Sequence, residues 1–553
     1  MTGFGADTVR WTDGRVHHDA DRFPIERIER DGHDVYGYVD RPDSLDAMLR
    51  RAVATAPDRE AFVYPDRGVR VTYREFDERV DRLAAGLAAN GVEPGDVVSV
   101  LLSNRPEFAE TFFACARGGV VSAPINTRVS PREFGYLLGD ADPACVVTEE
   151  SFEALLDSPD CGTDIPPILV DSDRGRPYAD PSIEETPPSV PTAADDPASL
   201  LYTSGTTGEP KGCVAEHFHL VNGALNYRTC FDTGDGLRTL VTVPLFHVAG
   251  LVANLLHTVA NAGTTVVLDG SDPERFLRTI EDERIEFVLG VPTNYVLAME
   301  RADPTAYDLS SWRIAAYGGA PMPADSIGRL RDAFPGVALC DAYGTTETVG
   351  GLVTMCPDER TDDYAHTIGL PTPPVELAVV DDEREPLGPN AVGELAVRGP
   401  IVVQEYLNRP AATESAFDGG WYFTGDLASV TEAGFVELKG RSRDKIVRGG
   451  ENIYALDVEE VLVVHDGVLE ASVTSFPDAV LGERVLAAVV PKPGVRLTED
   501  ALWEHCLENL ADYKVPELFR ILDELPKNPG GKVLKADIVP EPLKYGIRAG
   551  TSE

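Results

Sequence analysis

Thr203-Ser204-Gly205-Thr206-Thr207-Gly208-Glu209-Pro210-Lys211-Gly212 follows the apolar, strand-like run Ala198–Tyr202. Three glycines let this backbone turn tightly and bring its N–H groups close to an anion. The hydroxyls add donors and Lys211 adds a point charge, so polyphosphate is the natural ligand. P-loop NTPases require Ser or Thr after the lysine of GxxxxGK, and here Gly212 stands in that place. Lys211 is also the first lysine of the chain.

Outward from this loop, helix and strand signals alternate. Thr72-Tyr73-Arg74-Glu75 reads as a capping box opening an amphipathic helix that stops near Gly91. The apolar strand Val97–Leu102 follows, and Asn104-Arg105-Pro106-Glu107 starts another helix. Ser130-Pro131-Arg132-Glu133 caps a third, before the strand-like Ala144–Val147. Helices alternating with buried apolar strands predict an α/β architecture with mostly parallel sheets. The Pro- and acid-rich stretch Pro177–Pro197 reads as a surface loop, and a second α/β segment runs from about 198 to 370. Val375–Val380 and Gly393–Val397 then suggest a small β subdomain. After Gly440 the chain restarts with helix signals near 456–464 and 499–510 and strand signals near 469–475 and 485–491. The expected organisation is an extension over 1–43, a large domain over 44–440 built from two α/β sheet subdomains and the β subdomain, and a small mobile α+β domain over 441–553.

The chain of 553 residues carries 92 acidic and 49 basic residues, a formal net charge of −43. Such a surface repels nucleic acid and anionic membranes. It also repels itself unless salt shortens the screening length from about 10 Å at 0.1 M to about 3 Å at 1 M, which predicts a salt-adapted, halophilic protein. Eight dispersed cysteines without a CxxC pair predict reduced, buried thiols and no zinc site. The polar N-terminus lacks the layout of a signal peptide. The uncharged stretch Leu240–Leu268 contains Pro244, His247, Gly250, Asn254, His257 and Asn261, so it reads as loop, buried helix and strand. These features predict a soluble, cytoplasmic protein with no stable membrane association and leave a homodimer open.

Further motifs recur in order: PLFH at Pro244–His247, GGAPMP at Gly318–Pro323, DAYGTTET at Asp341–Thr348 and GELAVRGP at Gly393–Pro400. YFTGD at Tyr422–Asp426, GRSRDKIVRGGENI at Gly440–Ile453 and PKNPGGKV at Pro526–Val533 complete the series. With TSGTTGEPKG, they make the chain resemble the adenylate-forming superfamily, in its acyl-CoA synthetase branch. That resemblance implies ATP, Mg²⁺ and coenzyme A as reactants and cofactor, and activation of a carboxylic acid to acyl-AMP, with loss of pyrophosphate, before transfer to CoA. Thr203, Ser204, Gly205, Thr206, Thr207, Gly208 and Lys211 would hold phosphate. Gly319, Ala320, Pro321, Asp341, Ala342, Tyr343, Gly344, Thr345 and Thr346 would form the adenine cleft, with the small Gly318-Gly319-Ala320 backbone close to the base. Glu347, with Thr206, would hold Mg²⁺, which prefers carboxylate oxygen shared with phosphates. Asp426 would accept both ribose hydroxyls and Arg441 would reach ribose or phosphate. Lys532 matches the catalytic lysine that bridges carboxylate and α-phosphate. His247 would wall the acid site, Asp444 would be the hinge, and Gly449, Gly450 and Glu451 would guide the thiol.

The acid is expected to be a medium- or long-chain fatty acid or an aromatic acid. Tyr513 sits where some aryl-CoA ligases place an aromatic against the CoA adenine, with Lys514 beside it; Arg443, Lys445 and Arg448 are the other candidates for the CoA phosphates. Two other readings remain: adenylation of an amino acid or other acid with a non-CoA acceptor, and a non-catalytic nucleotide sensor. Amino-acid-adenylating relatives generally carry an Asp near the PLFH position, and here apolar residues flank His247. A sensor would be expected to lose Lys532, Glu347 or Asp426, and all are present. The pairs His17/His18 and His217/His219 read as surface residues.

Overall fold

The computed structural model describes residues 6–540 except 31, 159–160, 162–164, 166, 172–175, 178–189, 204–208, 269, 271, 320–321, 323, 357–363, 365, 442–443, 449–450, 479 and 528–532. Both capping boxes form. The Thr72 hydroxyl accepts from the Glu75 N–H at 3.3 Å while Glu75 accepts from the Thr72 N–H at 2.8 Å, opening the helix Tyr73–Ala89. Ser130 and Glu133 repeat the exchange at 3.3 and 2.8 Å before the helix Pro131–Ala141. Each such cap contributes about 1 kcal/mol and fixes where its helix begins.

A nine-stranded, largely parallel sheet centres on Ala338–Tyr343, Ile314–Tyr317, Phe287–Gly290, Arg238–Val241 and Thr264–Val267, in that order. A seven-stranded sheet runs from Arg176–Pro177 through Cys145–Thr148, Val97–Leu101 and Val121–Pro124 to Pro197–Tyr202, with Gly212–Glu216 antiparallel at its edge. Their strands are buried almost throughout, which is why their sequences are continuously apolar. Helices Leu45–Thr55, Tyr73–Ala89, Pro106–Gly118 and His217–Cys230 contribute to the core shared by both sheets, where the Phe76 and Phe113 rings meet edge to face at 5.9 Å. A third sheet of alternating antiparallel strands includes Glu376–Val380, Val392–Arg398, Trp421–Val430 and Val436–Arg441. The C-terminal segment forms its own five-stranded sheet, with helices Ala455–Val464 and Glu499–Asn509 and a separate core. The result is a mixed α/β fold with a large N-terminal part and a smaller C-terminal one.

The stretch 240–268 divides into strand Arg238–Val241, a π-helix Ala249–Leu256, helix His257–Ala260 and strand Thr264–Val267. No helix among the described residues is long and apolar enough to cross a membrane. All eight cysteines are free and buried.

The described residues between 6 and 40 are built into the molecule. Hairpin Val9–Thr12/Arg15–His18 extends the third sheet, with Val16 opposite Leu377. Hairpin Ile25–Arg30/His33–Tyr38 lies on helix His217–Cys230, where the Tyr38 N–H donates to Asn222 Oδ1 at 3.1 Å and Arg30 pairs with Glu216.

These contacts correct the surface reading of the histidine pairs, because His18, His217 and His219 are 1%, 1% and 3% exposed. His18 bridges the Thr8 hydroxyl and the Pro371 carbonyl, each at 2.6 Å. His217 Nδ1 accepts from the Leu45 N–H at 3.3 Å, and His219 Nδ1 accepts from the Glu216 N–H at 3.2 Å. Burial lowers the pKa of His18 and His217 to about 4 and that of His219 to about 3, so all three are neutral linkers.

Candidate active site

The carboxyl ends of Phe287–Gly290, Ile314–Tyr317 and Ala338–Tyr343 share one edge of the nine-stranded sheet, Gly290 opposite Tyr317 and Tyr317 opposite Asp341. Ligands of open α/β sheets bind outside such ends. Gly318 turns away there; a Cβ on it would lie 2.4 Å from the Ala342 carbonyl oxygen, so no other residue fits without moving backbone. Gly319 follows at φ +76°, in the left-handed region that glycine enters freely. Burial raises the Asp341 carboxyl to about 7.

Beyond this edge the turn Tyr343–Glu347 carries two anchored carboxylate contacts. The Tyr343 hydroxyl donates to Asp426 Oδ2 at 2.6 Å. Asp426, 7% exposed, is set by its own N–H donating to the Thr424 hydroxyl at 3.0 Å. At the other end of the turn Glu347 Oε1 accepts from the Tyr406 hydroxyl at 2.7 Å. Burial and the Glu347 charge raise the Tyr406 pKa, which keeps the phenol a donor. Lys211 Nζ lies 4.2 Å from the centre of the same Tyr406 ring, a cation–π contact.

The phosphate loop has a closed neck. The Thr203 N–H donates to the Lys211 carbonyl at 2.9 Å, and the Lys211 N–H returns a bond to the Thr203 hydroxyl at 3.3 Å. Its exit is pinned by the Tyr136 hydroxyl on the Pro210 carbonyl at 3.0 Å, and by Arg409, which pairs with Asp140 at 3.5 Å and Glu209 at 3.7 Å. Ser204, Gly205, Thr206, Thr207 and Gly208 lie outside the described residues, as do Ala320, Pro321, Gly449, Gly450, Lys532 and the Arg441 side chain; Arg441 stands opposite Asp426 in the sheet register.

His247 is held by a two-point clamp that its own motif does not reveal. Asn104 donates to the Val243 carbonyl at 2.9 Å and accepts from the Leu245 N–H at 2.7 Å, fixing the backbone that leads to the histidine. Gly250 lets the chain double back at once, since a Cβ there would sit 2.1 Å from the Pro244 oxygen. The Ala249 N–H donates to His247 Nδ1 at 3.3 Å, which leaves the proton on Nε2. Water reaches the ring, yet the crowding around it lowers its pKa, so the neutral imidazole prevails at neutral pH.

In the C-terminal part, Asp444 pairs with Lys535 at 3.6 Å and Glu451 stands opposite Arg448. Two of the cations expected near CoA already have partners: Lys514 pairs with Asp457 at 2.6 Å and Arg448 with Glu517. Arg443 lies outside the described residues.

The residues at the Tyr343 turn fit a magnesium-bound nucleotide. Thr345 Oγ1 is buried without a hydrogen-bond partner, an unmet group of the kind a ligand oxygen would satisfy. Glu347 supplies a carboxylate of the kind Mg²⁺ takes, an ion that binds one or two carboxylates and completes its shell with phosphate and water. Tyr406, Asn104, Arg409 and Tyr136 were not legible as site residues. Each acts across elements, as in the isolated bridge Cys213↔Tyr406 that brings Tyr406 beside the phosphate loop.

The family model for AMP-binding enzymes matches residues 49–407, and the model for the AMP-binding enzyme C-terminal domain matches residues 457–532. A feruloyl-CoA synthase from an Amycolatopsis species is 35% identical over 504 residues, covering 89% of this chain and 99% of that protein. A long-chain-fatty-acid–CoA ligase of Mycobacterium tuberculosis is 31% identical over 490 residues, covering 88% and 96%. The solved structure of an o-succinylbenzoate coenzyme A synthetase from Bacillus subtilis, in complex with ATP and magnesium ion, superposes with a TM-score of 0.80 at 30% identity, covering 89% of this chain and 98% of that one.

Proposed function

Because the chain belongs to the AMP-binding enzyme family, we propose for its site the two-step reaction of an AMP-forming acid–CoA ligase. ATP and a carboxylic acid give acyl-AMP and pyrophosphate, and CoA then displaces AMP to give the thioester. The observation that carries this reading is the pair of tyrosine-anchored carboxylates, Asp426 and Glu347, at the two ends of one turn at the sheet edge.

Each residue has a task in that reaction. Asp426, oriented by Tyr343, is the carboxylate that would take the ribose hydroxyls. Asp341, near half protonated at neutral pH, can donate or accept toward the adenine edge. Glu347 is the carboxylate that would hold Mg²⁺, which would draw charge from the phosphates when bound. Tyr406 fixes Glu347, and Lys211, held over the same ring, keeps its cation at the mouth of the phosphate loop, the hydroxyls and glycines of which close on the leaving pyrophosphate. Thr345 offers its unpartnered hydroxyl. Lys532 bridges the incoming carboxylate and the α-phosphate, neutralising the charge that gathers in the transition state. Asp444 is the pivot about which the C-terminal domain swings, so that Lys532 leaves and the Gly449-Gly450-Glu451 loop guides the thiol.

The acid is an apolar monocarboxylic acid, aromatic or fatty. The uncharged stretch that follows His247 supports an apolar acid site on that side of the histidine. Pyrophosphate release measured with ATP, Mg²⁺ and a panel of cinnamic, benzoic and straight-chain acids tests the assignment. One of these series should support turnover that also requires CoA for thioester. ATP binding without pyrophosphate release from any acid would leave the nucleotide sensor instead.

A further inference from the structure

We propose that Tyr136 and Arg409 are positioning residues for ATP, which hold the Pro210–Lys211 peptide so that the Lys211 ammonium meets the β- and γ-phosphates. The proposal rests on the reading of 203–212 as the phosphate loop. Both residues act through Lys211, without touching the nucleotide.

The Pro210 carbonyl and the Lys211 N–H belong to one planar peptide unit. The Tyr136 hydroxyl donates to the carbonyl at 3.0 Å, and the N–H donates to the Thr203 hydroxyl at 3.3 Å. A plane bonded at both ends cannot rotate freely. The next peptide unit is held as well, because the Lys211 carbonyl accepts from the Thr203 N–H at 2.9 Å. Proline fixes its own φ at about −65°, so little slack enters from the N-terminal side. The direction in which the Lys211 side chain leaves the backbone is therefore set, and its Nζ lies 4.2 Å from the centre of the Tyr406 ring. Of these bonds, only the one from Tyr136 reaches the peptide from another element.

Arg409 controls that bond. Its guanidinium donates to the Tyr136 hydroxyl oxygen. A hydroxyl that accepts from a cation becomes a stronger donor, so Arg409 both aims and strengthens the contact with Pro210. Burial and the Asp140 charge raise the Tyr136 pKa, which keeps the donated proton in place. Arg409 is itself held by Asp140 at 3.5 Å, a side chain 6% exposed that also accepts from the Tyr202 hydroxyl at 3.1 Å. Tyr202 ends the strand that enters the loop, and Tyr136 and Asp140 stand on helix Pro131–Ala141, so entry and exit are set against one helix. The backbone around Arg409 is fastened too: the Leu407 N–H donates to the Gly212 carbonyl at 2.8 Å, and the Asn408 side chain donates to the Asp140 carbonyl at 3.0 Å. Glu209, 3.7 Å from Arg409, is 70% exposed, and a pair so open to water contributes little. The weight of Arg409 falls on Tyr136.

Calorimetric titration of the full-length protein with ATP and with AMP, each with Mg²⁺, tests the proposal without turnover. AMP lacks the phosphates that Lys211 meets and serves as the internal control. Tyr136→Phe keeps the ring and loses one hydrogen bond, so it should weaken ATP binding about threefold to tenfold and AMP binding by less than about twofold. Arg409→Met, which keeps the methylenes and loses every donor, should show the same split. Because Arg409 acts through Tyr136, the double variant should bind ATP no more weakly than the weaker single one. ATP binding as in the wild type by Tyr136→Phe would overturn the proposal. Equal losses for ATP and AMP, the mark of a site that has merely loosened, would overturn it too, as would a double variant in which the two losses multiply. A wild-type protein that binds AMP and not ATP would overturn the assignment of the loop itself, and the proposal with it.

Discussion

Tyr406 and Tyr343 each spend their hydroxyl on a carboxylate of the site, and the consequence for catalysis is specific to each. Without its phenol partner Glu347 is free to rotate, so Tyr406→Phe should slow pyrophosphate release about tenfold and raise the Mg²⁺ concentration needed for half-maximal rate, with little change in melting temperature. An unaltered Mg²⁺ requirement would detach Tyr406 from the metal. Asp341 predicts a pH effect. Its folded pKa of about 7 stands above the ordinary 3.8, so folding favours the protonated acid. The stability this group contributes is fully present below about pH 4, is lost as pH rises toward 7 and stays lost above it. Asp341→Asn, which cannot ionise, should therefore match the wild type near pH 4 and exceed it by on the order of 4 kcal/mol at pH 8 in denaturant titrations. Glu347 and Asp426 were legible because each stands in a contiguous motif with the chemistry it needs. Tyr406 was not, since nothing in Gln404-Glu405-Tyr406-Leu407 announces it and its partner is reached through pairing with the strand after the phosphate loop. His217 and His219 were misread because HxH beside a glutamate looks solvated; their acceptor nitrogens instead take up backbone N–H groups at helix starts.

Helices and strands were read from the sequence to within a few residues where local chemistry sets their ends, as at Thr72 and Ser130. At Asn104 a different bond wins: its side chain clamps 243–245 and Arg105 takes the N-cap position without a side-chain bond. The π-helix Ala249–Leu256 was also invisible, because its wider turn depends on Gly250 fitting over Pro244 and on Asn254 donating to the Ala249 carbonyl at 2.9 Å. At this scale the C-terminal element makes the sharpest claim about function. Lys535, three residues past Lys532, pairs with both Asp444, the proposed pivot, at 3.6 Å and Glu459 at 2.9 Å. Lys532→Ala should slow acyl-AMP formation by at least ~10²–10³-fold and leave thioester formation from supplied acyl-AMP and CoA near normal. Asp444→Pro, which fixes φ at the pivot, should do the reverse. Equal damage to both half-reactions in either variant would contradict the swing.

For the whole molecule, the net charge of −43 makes repulsion between surface carboxylates a term opposing compactness. Screening over about 3 Å near 1 M salt should relieve it, so melting temperature and pyrophosphate release should climb with KCl into the molar range. A flat or falling stability curve would remove salt adaptation and leave the chemistry untouched. That chemistry, acid activation through acyl-AMP, is the central claim, and the fate of one oxygen tests it most directly. The acid substrate is labelled with ¹⁸O in both carboxylate oxygens and turned over with ATP, Mg²⁺ and CoA, and the products are weighed by mass spectrometry. Attack of the carboxylate on the α-phosphorus, followed by thiol attack on the acyl carbon, leaves one labelled oxygen in each AMP and none in pyrophosphate. Label in inorganic phosphate, or AMP without label, would contradict the account.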